Sequence, residues 1–378
     1  MCSMRQNSDD PFVFDFAPMC GPIVMTPELK KAMQAGLEQR QPIGHIIRSM
    51  MNARLAAFTG GGFRKSSEAE VWRRSGVKAI QVTLGGLEID PSGWDGYIRD
   101  LAWYLRAEQC GDFLRLCRTA DELEAAASDS VLGVLLGTQD AAWADRKFDR
   151  IDTLYRAGVR VVQLTYNQRN LIGDGCSEPA NAGLSRFGTA FVKHLGQLGV
   201  IVDVSHSGER TSLDAIDVAT RPTAVTHAAC RALHDHPRAK SDDVLHAIRD
   251  ADGFFGVVAI PHFLTDDPHA SVDHIIRHVD HAANTVGIER VGIATDWGGV
   301  TPDMPPQMQQ GAKDAFVAAG FALHEVPPLG EALTEFDAYE KWPSITAALR
   351  GRFSPEETAG LIGGNWLSFT RRTLEASH

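Results

Sequence analysis

Long apolar runs are missing from this chain of 378 residues. No stretch reaches the about 18 uninterrupted apolar residues that a membrane-spanning helix needs. The opening, MCSMRQNSDDPFVFDF, has no apolar core behind a basic head, so no secretory leader is expected. Positive charge is also in deficit, with 37 Lys and Arg against 48 Asp and Glu and a formal net charge of −11. That balance argues against nucleic acid or an anionic membrane as the main partner, since both need clustered cations. Cys2, Cys20, Cys110, Cys117, Cys176 and Cys230 are scattered without a Cys-x-x-Cys spacing. Neither a disulfide framework nor a zinc knuckle is indicated, and reduced thiols are expected. The glycine-rich stretch Gly60–Ser66, GGGFRKS, lacks the Gly-Lys-Ser/Thr order of a phosphate loop and reads as a flexible loop. These absences leave a cytoplasmic protein acting on a small molecule or peptide.

What is present is a regular alternation. Short apolar, β-branched runs recur at Phe12–Phe16, Ala79–Leu84, Val131–Leu136, Val159–Leu164, Val200–Val204, Thr223–Thr226, Phe254–Ile260 and Val291–Ala294. Between most of them lie helical periodicities, among them Trp94–Ala107, Thr119–Ala127, Phe148–Ala157, Arg186–Leu198, Gly208–Ala219, Asp242–Asp250 and Val272–Val286. The segment Thr26–Leu55 contains a helix start, TPELKKAMQAGLEQ, with Thr26 as N-cap, Pro27 at the first position and Glu28 in the first turn. Eight strand–helix units predict an α/β fold, a (β/α)8 TIM barrel, rather than an open doubly wound sheet. The expected organisation is an N-terminal arm over residues 1–11 and one barrel domain over 12–378. Thr301–Pro343 has no steady period and reads as an irregular insertion, and the C-terminal stretch from Ser354 as a capped helix completing the outer ring.

In a barrel the chemistry gathers just after the strands. Those positions hold Ala17 and Met19, Gln139 and Asp140, Tyr166 and Asn167, His206, His227, His262 and Asp296. His206 and His227 each end an apolar run, with a helix-length segment between, and should face one pocket. Two histidines and a carboxylate on neighbouring strands suit a borderline divalent ion such as zinc, because neutral imidazole and carboxylate are its preferred donors.

These residues resemble a known family. The stretches GVIVDVSHSG, TAVTHAACRALHDHPRAKSDD, VGIATDWGG and IGGNW, with LTYNQRN and GLSRFG, are similar in sequence and order to the membrane (renal) dipeptidase family of metallopeptidases, over about Val131 to Phe369. The resemblance implies a (β/α)8 barrel, commonly dimeric, that hydrolyses dipeptides with two zinc ions bridged by a carboxylate. It makes His206 and His227 ligands of one metal, Arg238 the holder of the substrate carboxylate, and Asp296 the group that handles the proton of the attacking water. Tyr166 stands where many members carry a substrate-contacting histidine, and Asn167 beside it is a further substrate-contact candidate.

The pattern also breaks. The family's first strand ends in His-x-Asp, where this chain has Ala17 and Met19. The bridging glutamate is replaced by Gln139, which is isosteric but neutral. Three outcomes stay open: one metal on His206 and His227, no catalytic metal, or a pair rebuilt with Asp140 or Cys20. With one zinc ion, Gln139, Asp140 or Asp296 would complete a set that leaves a position for water. The function expected is a dipeptidase-family hydrolase for a small amide or dipeptide-like carboxylate, with Asp296 and Asp140 in acid–base roles and a homodimeric assembly. The alternative is a divergent barrel that performs non-hydrolytic chemistry on a small carboxylate or only binds it.

Overall fold

A computed structural model of the chain describes residues 11–16, 24–59, 62–85, 93–110, 112–297, 305–318, 320–323, 326 and 331–375. Ten strands are present among them: β1 Val13–Phe16, β2 Val77–Leu84, β3 Leu114–Cys117, β4 Leu132–Thr138, β5 Val159–Gln163, β6 Ile201–Asp203, β7 Ala224–Cys230, β8 Ala239–Lys240, β9 Phe254–Val258 and β10 Val291–Ala294. Eight of them follow one another in the order β1-β2-β4-β5-β6-β7-β9-β10, every pair parallel. This is the nearly closed eight-stranded barrel that the alternation predicts.

The two further strands carry too little signal to be read from the sequence. β3 contains Arg115 and pairs only with the first half of β4, before β5 takes over the same edge. β8 is two residues long and pairs with the end of β7.

The helices follow their caps. Pro27–Glu38 begins where the Thr26 hydroxyl accepts from Leu29 N at 3.3 Å. It ends at Glu38, ahead of Arg40 with its φ of 52°, and a second helix, Ile43–Phe58, starts after Pro42. Arg186–Leu198, Asp242–Asp250 and Val272–Val286 form as the periodicity predicts, the first two capped by Ser185 and Ser241. The stretch read as irregular contains the helix Pro306–Ala318, and Trp342–Arg352 follows. In the glycine-rich loop, Phe63–Lys65 makes a short 3-10 turn.

The C-terminal segment does more than complete the outer ring. Trp366 packs against Phe14, Phe16 and Phe254, with ring centroids 5.4, 4.8 and 4.9 Å away, so it abuts residues of both β1 and β9. Residues 1–10 of the expected arm, and Ala17, Met19 and Cys20, lie outside the described residues. Among the described residues no helix is long and apolar enough to cross a membrane. Cys110, Cys117 and Cys230 are free thiols.

Candidate active site

The site is built where β6 and β7 stop pairing as strands. Their ladder is a single pair, Asp203 with Ala224. Beyond it side chains replace the ladder: Ser205 Oγ donates to Asp203 Oδ1 at 2.5 Å and accepts from Thr226 N at 2.7 Å and His227 N at 3.1 Å. On its other edge β7 slips register against β9 between Val225 and Ala228. Such a bulge re-aims the residues within it, here Thr226 and His227. Gly256 makes the close approach possible, because a Cβ there would stand 2.0 Å from Thr226 O.

The bulge brings His227 to His206. Their Nε2 atoms are 3.0 Å apart, and both side chains are buried. Each ring is held from its far side: His206 Nδ1 by Asn167 Oδ1 at 2.7 Å, and His227 Nδ1 by Thr226 Oγ1 at 2.8 Å. An amide oxygen only accepts, so His206 Nδ1 carries the proton and its Nε2 presents a lone pair. Tyr166 stacks on the His206 ring, with centroids 4.3 Å apart and planes 21° from parallel. Burial, and then the Arg238 guanidinium, holds both imidazoles well below their ordinary pKa and therefore neutral.

Arg238 is 1% exposed. Two of its nitrogens donate to the backbone carbonyls of Ser205 and His227, one on each strand end, so the guanidinium clamps the two histidine-bearing segments together. Its third, Nε, is buried with no hydrogen-bond partner. Lys240 lies close by, donating to Ser207 O at 2.6 Å and Ser212 Oγ at 3.1 Å, and burial pushes its ammonium down to about 7.

Asp296 follows β10 with a backbone φ of 50°, a left-handed conformation uncommon outside glycine. Its N–H donates to Phe16 O at 2.9 Å across the barrel seam, which holds that geometry. Burial raises its carboxyl to about 7, with Arg238 opposing and Asp15 adding to the rise. A carboxyl placed there is divided between acid and base near neutrality, as proton transfer requires.

The other expected site residues are placed differently. Asn167 is fully buried, with its oxygen committed to His206 and to the Cys176 thiol at 3.3 Å, so it supports a histidine. Asp140 Oδ1 accepts from Ala141 N, Ala142 N and Asn170 Nδ2, at 2.6, 3.1 and 2.5 Å, which organises the loop after β4. Burial raises its pKa. Gln139 Oε1 accepts from Thr83 Oγ1 at 3.1 Å, across from β2. His262 Nε2 is buried without a partner. Asp15, Asp203, Thr226 and Lys240 also belong to the site, though the strand-end positions in the sequence do not point to them. The available signal was a charged residue inside a short apolar run, as in VFDF and VIVDV.

Two neutral imidazoles with converging Nε2 atoms, both anchored through Nδ1, are a donor set that suits a divalent cation. Among the described residues no group of three or more His, Cys, Asp or Glu side chains comes together around a metal position. The visible set is therefore the histidine pair.

The profile of the membrane dipeptidase family, peptidase family M19, matches residues 100–315. A dipeptidase of Clonostachys rogersoniana is 31% identical over 195 residues, covering 51% of this chain and 50% of its own. The matched region spans about half the length of the curated relatives it matches. Among solved structures, an amidohydrolase from Pseudomonas aeruginosa superposes with a TM-score of 0.74 at 23% identity, covering 97% of each chain. A metallopeptidase from Rhodobacter sphaeroides, solved with a phosphinate mimic of the dipeptide L-Ala-D-Ala, gives 0.69 at 17% identity over 97% of this chain and all of its own. These two likenesses show the barrel fold.

Proposed function

This chain belongs to the membrane dipeptidase family, peptidase family M19, and from that membership we propose that it hydrolyses a small amide or dipeptide-like carboxylate with one zinc ion on His206 and His227. The observation that carries the reading is the histidine pair: two buried, neutral imidazoles with Nε2 atoms 3.0 Å apart and both far nitrogens anchored. Gln139, whose oxygen has a second lone pair beyond its bond to Thr83, is the third donor in this reading. Zinc held there supplies Lewis acidity, polarising the scissile carbonyl and acidifying water.

The chain's own residues supply the rest. Asp296 takes the proton of the attacking water and returns it to the departing amine, a role its raised carboxyl supports. Arg238 keeps one buried donor, Nε, for the substrate carboxylate while its other nitrogens hold the site together. Tyr166, stacked on His206, walls the substrate space where it meets the histidines. Asp140 acts through the loop it organises. A homodimer completes the proposal and rests on the family resemblance alone, while a cytoplasmic location rests on the composition of the chain.

The test is metal analysis of the purified protein together with a dipeptide panel that includes L-Ala-D-Ala. About one zinc per chain, turnover of at least one dipeptide, and loss of both in His206→Ala and His227→Ala are expected. Two zinc ions per chain would overturn the single-ion assignment. Full turnover in both variants would overturn the site.

A further inference from the structure

We infer that Asp203 is a positioning residue that acts through Thr226 to fix the tautomer of His227, so that the His227 Nε2 lone pair faces His206. The inference rests on the reading of His227 as a metal ligand and adds to it the device that makes it one.

The argument is a count of protons. The two oxygens of Asp203 have different partners. Oδ1 accepts from Ser205 N at 2.9 Å, Ser205 Oγ at 2.5 Å and Thr226 N at 3.2 Å, whereas Oδ2 accepts from Thr226 Oγ1 at 2.6 Å. Burial raises the Asp203 pKa, while the bonds from Ser205 and Thr226 oppose the rise and favour the carboxylate; in that form it has no proton to give, so the single hydroxyl proton of Thr226 goes to Asp203. Thr226 Oγ1 then has only lone pairs to offer His227 Nδ1, 2.8 Å away. The proton of a neutral His227 must therefore sit on Nδ1, and Nε2 is left as a donor of electrons to a metal. Were the chain of bonds reversed, Nε2 would carry the proton and point it at His206 Nε2, closing the pair with a hydrogen bond.

Metal-ligating histidines usually hand their second N–H to a carboxylate or carbonyl, which fixes ring and tautomer. Here the carboxylate is one hydroxyl further away. Asp203 also takes the Ser205 hydroxyl whose oxygen receives Thr226 N and His227 N, so one buried carboxylate sets both the backbone and the proton of the ligand segment.

Asp203→Asn is the decisive substitution. Oδ1 faces two backbone N–H groups, so the new amide nitrogen must take the place of Oδ2 and point a proton at Thr226. The hydroxyl of Thr226 then turns to His227 Nδ1 and the tautomer flips. Nitrogen-15 NMR of the metal-stripped full chain reads the tautomer directly, and competition with a chromogenic chelator reads zinc affinity. Expected are an Nδ1–H His227 in the wild type, an Nε2–H His227 in Asp203→Asn, and zinc affinity lowered about 10- to 100-fold. Thr226→Ser should keep both properties and Thr226→Val should lose both, and this pair decides the matter if Asp203→Asn fails to fold. A folded Asp203→Asn protein with an Nδ1–H His227 and wild-type zinc affinity would overturn the inference. If the tautomer flips while neither protein retains zinc, the relay stands and the metal reading falls.

Discussion

Asp15 on the first barrel strand and Thr295 after the last are joined by two hydrogen bonds: Thr295 N donates to Oδ1 at 2.7 Å and Thr295 Oγ1 to Oδ2 at 2.6 Å. Tyr339 OH adds a third at 2.9 Å. With Asp296 N on Phe16 O, these bonds tie the seam between β1 and β10 and set the approach to Asp296. Asp15→Ala would remove the acceptor of three buried hydrogen bonds and should cost about 2–4 kcal/mol. A urea-unfolding midpoint equal to that of the wild type would show that the seam is held by other means.

Asp296 couples activity to stability in opposite directions. Its folded pKa, raised by burial to about 7, lies above the ordinary 3.8. The stability it contributes is therefore full below about pH 4 and is lost as pH rises through 7, while the ionised base needed for proton transfer appears over the same rise. Turnover should climb with an apparent pKa near 7. Asp296→Asn should abolish that limb and be about 1–3 kcal/mol more stable than the wild type at pH 8, with little gain at pH 4. Equal pH dependence of unfolding in the two proteins would remove the assignment.

Arg238 spans two carbonyls, and a lysine reaches only one of them at a time. Arg238→Lys should lower stability by about 1–3 kcal/mol and raise KM for a carboxylate substrate more than it lowers kcat. An unchanged KM, with the stability loss present, would confine Arg238 to the clamp.

Lys240 bears a buried cation whose hydrogen-bond acceptors are a backbone carbonyl and a serine hydroxyl. Burial lowers its folded pKa from 10.5 to about 7. The fold favours the neutral amine, so its stability contribution is present above about pH 10.5 and is lost as pH falls through 7. Lys240→Met should gain about 1–3 kcal/mol relative to the wild type at pH 6 over its effect at pH 9. Thermal denaturation at the two pH values measures the difference, and a gain independent of pH would contradict a lowered lysine.

Local signals were sufficient for the barrel. Eight apolar runs separated by amphipathic segments have few ways to bury both faces, and a nearly closed parallel barrel is the one found, with His206 and His227 at neighbouring strands and Asp296 two strands beyond. Where periodicity was weak the reading thinned out: the two-residue β8 and the helix Pro306–Ala318 form through their contacts rather than their composition. The histidine pair was therefore legible in the chain, because His206, just after β6, and His227, within the adjacent β7, are brought together by the fold itself. What each polar neighbour does was not. Asn167 supports His206 through its amide oxygen, Arg238 spends two nitrogens on carbonyls, and Asp203 reaches His227 through a hydroxyl. Those roles depend on which donor meets which acceptor at about 3 Å. Only the packed structure, with the bulge in β7 and the bonds across its seam, decides that.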